Sequence, residues 1–393
     1  MPLKIVVFEG SLQPPVFIRR LMEGLAEEGH SIYLLHFGGN ISPSKENLKY
    51  LSLGSSQNNI QLIFQSLKIA FDYNIFATFF TFKKIVLGNR KNLQKRNLKV
   101  LLNELEPDII HVQWPALLEV LEEVINEGKY PVVLSQRGYQ INVKPFVNNS
   151  YFQKLSSIFP KLSGFHSVSK AISQEGDKIW NSPAKLDEVV YTGLDLQGFQ
   201  FQENYSRNEK LKLITVGRPH WKKGLHDAIH ACAILFKKDV EFEITIIGGK
   251  GNEEILFLTN MYKLEERVNI LGKLPQKKVY ELMTEADLLI VSSLEEGIPN
   301  VLVEAMVLGI PVISTSCGGV EELIAHDREG WVVPTRDPAA LAGQIELFTT
   351  LPEESIEIVR KAAREKVENQ HSSNQMIRGM ESLYKKVLQR SKI

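Results

Sequence analysis

A helix that is apolar on every side has to be enclosed by the rest of the protein, and this chain contains one. After Pro299-Asn300, the segment Val301-Leu302-Val303-Glu304-Ala305-Met306-Val307-Leu308 carries a single charge, Glu304. A strand-like run, Ala286-Asp287-Leu288-Leu289-Ile290-Val291, precedes it, so the unit reads as strand, loop and buried helix. Pro299 suits the first helical position, where a missing N–H costs nothing, and Gly309 with Pro311 marks the end. A buried carboxylate needs partners, and no residue near Glu304 in the sequence supplies one. Glu296 falls in the loop before the helix, beside N-terminal N–H groups that favour anions. Two carboxylates able to bind hydroxyls thus flank a helix start able to bind phosphate, an arrangement that matches a nucleotide sugar. The plainer reading is a strand–loop–helix unit whose Glu304 reaches water.

Around that unit, short apolar runs alternate with helical stretches, the pattern of parallel sheets joined by crossover helices. Strands are expected at 5–8, 32–36, 107–112, 131–135, 165–169 and 189–191, and then at 211–216, 242–247, 268–271, 287–291, 312–314 and 330–334. Helices are expected at 17–28, 61–103, 117–125, 225–236, 276–283, 337–348, 353–367 and 372–389, with shorter ones after Lys170 and near Val320. Residues 38–60 read as polar loop. The polar segment 197–210 breaks the rhythm and reads as a linker. The expected fold class is therefore α/β, with two Rossmann-like doubly wound domains at 1–196 and 211–371 and a terminal helix within 372–393.

Composition fits a globular protein, with 44% apolar and 23% charged residues. A formal net charge of zero argues against a general polyanion binder, so no nucleic acid partner is expected. Cys232 and Cys317 fit no metal or redox spacing, and a reducing compartment is the default. The apolar start at Ile5–Phe8 is too short, and too soon interrupted by Glu9, for a secretory signal. No apolar run approaches the roughly 18 to 20 residues of a transmembrane helix.

Val216-Gly217-Arg218-Pro219-His220-Trp221-Lys222-Lys223-Gly224 follows an expected strand. Arg218 can fork two phosphate oxygens and Lys223 supplies a compact charge, so together they could neutralise a diphosphate. Gly248-Gly249-Lys250-Gly251 is a weaker signal, since tight turns alone require glycine. Gly318-Gly319 before a helix could form a phosphate nest. All lie at carboxyl ends of strands in one half of the chain, where open parallel sheets bind ligands. In the first half the matching positions are His111, Gln136 and Arg137. A satisfied core histidine is the plain alternative for His111.

Gly217-Arg218 with Lys223-Gly224, Glu296-Gly297 with Glu304, Gly318-Gly319 with Glu322, Gly193-Leu194-Asp195 and Ala286-Asp287 form one ordered set. On these residues the chain resembles the retaining glycosyltransferases of family 4 in the sequence-based classification (glycosyl transferases group 1), of the exopolysaccharide and cell-surface glycan type. The similarity covers nearly the whole chain and is strongest over 186–335. It implies the GT-B fold: two Rossmann-like domains facing a cleft, with a last helix that returns to the N-terminal domain. It also implies a C-terminal domain for a nucleotide diphosphate sugar and an N-terminal domain for a glycan or lipid-linked acceptor. Carried over residue by residue, Arg218 and Lys223 bind the diphosphate, Glu296 contacts the transferred sugar and Glu304 binds the ribose. Gly217, Gly297, Ile298, Pro299, Asn300 and Val301 complete the donor site. Arg218, Lys223 and Glu296 carry catalysis, and His111, Gln136 and Arg137 are acceptor-side or sugar contacts. The implied hexosyl transfer retains configuration and needs no metal or cofactor, and no Asp-x-Asp motif stands near a strand end. Two departures stand out. Glu9-Gly10-Ser11-Leu12-Gln13-Pro14-Pro15 replaces a common glycine pair, and Arg137 replaces a common histidine and cannot serve as a base.

Two other readings are a nucleotide-sugar epimerase or phosphorylase on the same architecture, and a non-catalytic nucleotide-sugar-binding protein. A dehydrogenase is disfavoured because no G-x-G-x-x-G follows the first strand. Residues 61–100 hold Lys68, Lys83, Lys84, Arg90, Lys91, Lys95, Arg96 and Lys99 against Asp72 alone, a local charge of +7. Phe64, Phe71, Tyr73, Phe76, Phe79, Phe80 and Phe82 share the segment. That mixture suits a helix lying on an anionic membrane, or equally a helix whose aromatics pack on the core while its charges stand in water. The expected location is the cytoplasm, with peripheral attachment to the inner face of the membrane.

Overall fold

The computed structural model describes residues 2–11, 13–38, 46–73 and 90–391. The chain divides into two compact units. One is Met1–Val168 with Ile172–Gly193 and Ser373–Ile393, and the other is Ser169–Ala171 with Leu194–Ser372. The first unit holds a seven-stranded sheet of β1 (Lys4–Gly10), β2 (Ser31–His36), β3 (Leu48–Ser52), β4 (Ile109–Val112), β5 (Val132–Gln136), β6 (Gly164–Ser167) and β7 (Asp187–Val189), in the order 3-2-1-4-5-6-7. The second holds six strands, β8 (Leu211–Val216), β9 (Phe242–Ile247), β10 (Val268–Leu271), β11 (Leu288–Val291), β12 (Val312–Thr315) and β13 (Trp331–Val333), in the order 10-9-8-11-12-13. Every pairing is parallel.

Parallel strands joined by helices are covered on both faces, so their residues are apolar in both phases of the two-residue repeat. In β1, Val6 and Phe8 enter one core with Leu98, Leu101 and Leu121, while Ile5 and Val7 enter another with Ile18, Met22 and Met380. The second sheet repeats the division. Leu288 and Ile290 of β11 face one side, and Leu289 and Val291 face the other, packed with Leu302 and Met306.

The 38–60 region departs from the expected loop by containing β3, which among the described residues pairs with β2 alone. Leu48 and Ser52 are buried while Lys49 is exposed. A short edge strand with an outward lysine lacks the continuous apolar run of the central strands. The expected helix 61–103 is two helices, Asn59–Tyr73 and Arg90–Leu105. Phe76, Phe79, Phe80, Phe82, Lys83 and Lys84 lie outside the described residues. Two further helices, Asn149–Ile158 and Glu253–Met261, fall where the sequence reading placed nothing. Each starts at an asparagine, Asn148 or Asn252, whose side chain accepts a backbone N–H from the first turn.

The last helix, Ser373–Arg390, belongs to the first unit. It buries Met376, Ile377, Met380, Leu383, Tyr384 and Val387, a stripe at helical spacing. A Cβ on Gly24 would fall 2.6 Å from Ile377 Cδ1, so the helix Val16–Glu27 approaches it through a position without a side chain. Tyr384 adds a polar anchor, its hydroxyl lying 2.8 Å from His111 Nδ1 inside the sheet. Replacing Tyr384 with Phe strands that ring nitrogen in the core. The expected cost is about 1–3 kcal/mol, read as a lower urea midpoint, with wild-type stability as the contrary result.

Candidate active site

In the second sheet the chain runs outward from β8 to β9 and β10, then crosses back to β11. Strand direction of travel reverses between β8 and β11, and loops leaving such a point diverge into a crevice at the carboxyl ends. The loop after β8 carries Gly217 to Gly224, and the loop after β11 carries Ser292 to Pro299. They are laced together: Leu294 N–H donates to Lys222 O at 2.7 Å, and Ser292 Oγ donates to Lys223 O at 3.1 Å. Gly224 makes this approach feasible. Its φ is +56°, and a Cβ there would stand 2.0 Å from Ser292 O. Gly318, after β12, does the same for the third loop, with φ +54° and a virtual Cβ 1.9 Å from Glu296 O.

These contacts bring Lys223 and Glu296 together, with Nζ 2.5 Å from Oε1 and both side chains half-buried. Ser293 Oγ lies 3.4 Å from the same oxygen. The Lys223 stem passes over Gly217, whose missing side chain leaves the room. Arg218 stands exposed in the same loop and joins no hydrogen bond or ion pair among the described residues. The Gly318-Gly319 pair is not an open phosphate nest, because Gly319 N–H is spent on Gly297 O at 2.6 Å. Glu322 is also engaged, accepting Lys170 and Ala171 N–H at 2.9 Å each.

The enclosed helix spans Asn300–Leu308. Pro299 is its N-cap rather than its first residue, because ψ 117° keeps it extended. No side chain caps this end, and Gly309 closes the other at φ +82°. Leu302, Val303 and Ala305 to Leu308 are buried, as the sequence requires. Glu304 is half-buried and finds partners across space: Tyr280 Oη donates to it at 3.0 Å and Gln276 Nε2 at 3.3 Å. Both come from the helix Gln276–Thr284. The sequence offers only their one-turn spacing as a signal, and nothing in it points at Glu304.

In the first unit, His111 and Gln136 are fully buried and structural rather than open to a ligand. His166 Nε2 lies 2.9 Å from the Val190 carbonyl, which can only accept, so that nitrogen carries the proton. Ser135 Oγ then donates to His166 Nδ1 at 2.9 Å and accepts from His111 Nε2 at 2.8 Å, leaving His111 Nδ1 to accept from Tyr384. Burial, aided by the Arg137 charge, holds both imidazoles neutral, with His166 pushed down to about 3 and His111 well below its ordinary value. Gln136 Nε2 donates to Ser167 Oγ and Asp187 Oδ2 at 3.0 and 2.9 Å. Of the three positions, Arg137 alone keeps an unused donor, Nε. Sequence reading missed its neighbour Gln113, which follows β4 directly.

The two parallel-sheet, Rossmann-like domains define the GT-B fold. Sucrose-phosphate synthase from Thermosynechococcus elongatus superposes with a TM-score of 0.78 at 16% identity, over 99% of this chain and 100% of that one. Anabaena Alr3699/HepE, solved in complex with UDP-glucose, gives 0.71 at 16% identity over 98% and 100%. At that identity the likeness is one of fold. Residues 197–366 match the family described as glycosyl transferases group 1, so the second unit is a domain of that family. The amylovoran biosynthesis glycosyltransferase AmsK of Erwinia amylovora is 38% identical over 200 residues, 48% of this chain and 49% of the relative. In that match the chain spans about half the length of its relative.

The neutral histidines predict a pH dependence. The unfolded chain protonates its histidines near pH 6.5 while the native relay does not, so below that pH the unfolded state binds more protons. Their stabilisation is complete above pH 6.5 and falls by about 1.4 kcal/mol per pH unit for each histidine as the pH drops toward 3. Urea midpoints at pH 7.5 and 5.5 should differ more for the wild type than for His166→Gln, and equal differences would contradict the neutral relay.

Proposed function

We propose that the protein is a retaining glycosyltransferase that moves a hexosyl unit from a nucleotide diphosphate sugar to a hydroxyl of a glycan or lipid-linked glycan in polysaccharide biosynthesis. The observation that carries this reading is the Lys223–Glu296 pair, set between the exposed Arg218 and the uncapped start of the helix Asn300–Leu308. That geometry offers cations and helix N–H groups to a departing diphosphate, and carboxylates to the hydroxyls on either side of it. Lys223, Arg218 and the helix start stabilise the leaving group electrostatically as charge develops on it. The leaving phosphate oxygen takes the acceptor's proton from the same face, which preserves the anomeric configuration. Glu296 orients the sugar and keeps Lys223 in place, while Glu304, held by Tyr280 and Gln276, receives the ribose hydroxyls. The protein side chains meet the diphosphate charge without a divalent ion. The AmsK name and the UDP-glucose bound by HepE support the pathway and the donor class.

The membrane reading narrows on the structure. Lys91 and Lys95 lie 2.8 and 3.8 Å from Glu119 and Glu123, and Lys99 pairs with Glu127, so part of the basic segment is neutralised by the helix Leu118–Glu127. The helix Asn59–Tyr73 also presents an exposed apolar stripe, Ile60, Phe64 and Phe71, at 66, 69 and 71% exposure, with Lys68 exposed on the same helix. No helix among the described residues is long and apolar enough to cross a membrane. The proposal is peripheral contact through that stripe, at the inner face of a membrane where lipid-linked acceptors would reside. Co-sedimentation with anionic vesicles at low salt should retain the wild type and release Phe64→Asp/Phe71→Asp. Equal retention of both proteins would sink the contact while leaving the enzymatic reading intact.

For the reaction itself, Arg218→Ala and Lys223→Ala should each lower turnover by a hundredfold or more, about 2.7–4 kcal/mol if the loss resembles removal of an oxyanion donor. Thermal melting of Arg218→Ala should match the wild type, since the side chain is exposed and unpaired. Turnover should persist in EDTA. Near-normal rates in either variant, or loss in EDTA restored by Mn²⁺, would refute the assigned roles. Binding of UDP-sugars without transfer would identify a nucleotide-sugar-binding protein instead.

A further inference from the structure

Two arginines, Arg360 fully buried and Arg137 half-buried, show opposite treatment. Arg360 is almost completely enclosed, and all three of its guanidinium nitrogens donate, to Gly309 O, Gln202 O and the Glu357 carboxylate. Its guanidinium carbon lies over the rings of Phe201 and Tyr205, 5.2 Å from each centre. That is how an arginine is held when its role is structural: charge compensated and every nitrogen used.

Arg137 lacks both the counter-charge and the full set of acceptors. It follows β5 at the carboxyl end of the first sheet, the end where open parallel sheets take ligands. Its guanidinium lies 4.8 Å from the centre of the Phe17 ring, which covers one face and leaves the edge to bind. Among the described residues only Nη2 hydrogen-bonds, to Gln113 Oε1 at 3.2 Å and weakly to Ser135 Oγ at 3.5 Å, and both acceptors are neutral. Nε is buried without a partner, and so is Nε2 of Gln113. No carboxylate pairs with Arg137 among the described residues. Glu9, the last acid of β1, is occupied by Trp114 Nε1 at 3.1 Å and Ser11 N–H at 2.6 Å. The imidazoles of His111 and His166 are neutral and already committed to their relay. Burial pushes the Arg137 guanidinium down to about 9, the direction expected of a cation with no counter-charge.

The balance is therefore one uncompensated positive charge and two buried idle donors, Arg137 Nε and Gln113 Nε2, on residues joined by a hydrogen bond. Gln136, between Ser135 and Arg137, faces the other way and packs its Oε1 against Gly176. Idle donors around an unpaired cation call for a ligand that only accepts and carries negative charge. We propose that Arg137 and Gln113 form an oxyanion-binding site for a carboxylate or phosphate carried by the acceptor. The site is read from the first unit alone. Its assignment to the acceptor rests on the glycosyl-transfer reading above.

The test uses calorimetric titration of the full chain, with and without saturating UDP, against glucuronate, glucose 6-phosphate and glucose. At least one charged sugar should bind ten- to a hundredfold more tightly than glucose, the scale of a charge-assisted hydrogen bond. Glucuronate alone would mark a carboxylate acceptor, glucose 6-phosphate alone a phosphorylated one, and either supports the site. Arg137→Gln should abolish the preference, and Arg137→Lys should keep part of it, since it preserves charge but not the fork. UDP affinity should be the same in Arg137→Gln as in the wild type. The melting temperature of that variant should be unchanged or higher, because an uncompensated buried charge is removed. Equal affinity for charged and neutral sugars would overturn the proposal, as would a preference that survives Arg137→Gln. A melting temperature lowered by several degrees would make the residue structural, and a loss of UDP affinity in Arg137→Gln would move it to the donor side. Failure of the wild type to bind UDP would instead strike the donor reading, and the titrations without UDP would still decide the oxyanion site.

Discussion

The contact between Lys223 and Glu296 joins loops that leave adjacent strands but lie far apart in the chain. It exists because backbone carbonyls occupy the space where side chains would otherwise start. Ser292 O and Glu296 O each stand about where the Cβ of Gly224 and Gly318 would be. Any other residue at those positions would push the loops apart and adopt an unfavourable positive φ. The rest of the site hangs on that closure. It orders the loop preceding the helix Asn300–Leu308, fixes the Lys223 stem over Gly217 and leaves Arg218 free at the rim.

The helix that follows explains why a carboxylate can sit on an otherwise apolar element. Buried neighbours grip it along most of its circumference, and the remaining side carries Glu304 toward Tyr280 and Gln276. A charge that would be costly in the core is thus kept at the boundary, hydrogen-bonded and available. The first unit solves a comparable problem by different means. A chain of neutral groups runs through its interior, Tyr384, His111, Ser135 and His166, which ends on a carbonyl and uses every ring nitrogen of its two histidines. Beside that chain, Arg137 and Gln113 keep donors on the carboxyl-end side of the sheet that no group among the described residues takes.

Much of this was legible before any coordinates. The runs Leu211–Val216, Phe242–Ile247 and Val268–Leu271 are strands with those same bounds, because strands covered on both faces are dominated by apolar, often β-branched residues. Edge strand β3 was invisible for the complementary reason, since Lys49 faces water and breaks the run. The helices after Asn148 and Asn252 each begin at an asparagine cap, a local signal that the sequence does carry. The basic stretch after Arg90 was legible as charge but not as pairing. Its lysines meet Glu119, Glu123 and Glu127 on a neighbouring helix, and local composition cannot report a partner so far along the chain.

The sequence alone determined the parallel α/β architecture, the enclosed helix with its lone glutamate, and the loops in which Arg218, Lys223 and Glu296 would lie. Those properties follow from the periodicity of apolar residues and from the backbone demands of glycine and proline, all local. Tertiary structure decided which candidates remain open to a ligand. It consigned His111 and Gln136 to hydrogen-bond networks, gave Glu304 its hydrogen-bonding neighbours and left Arg137 without an anion. Hydrogen-bond satisfaction is a property of neighbours in space, and the residues that settle it here, Tyr384, Asp187 and Tyr280, come from helices and strands that the chain order does not place beside them.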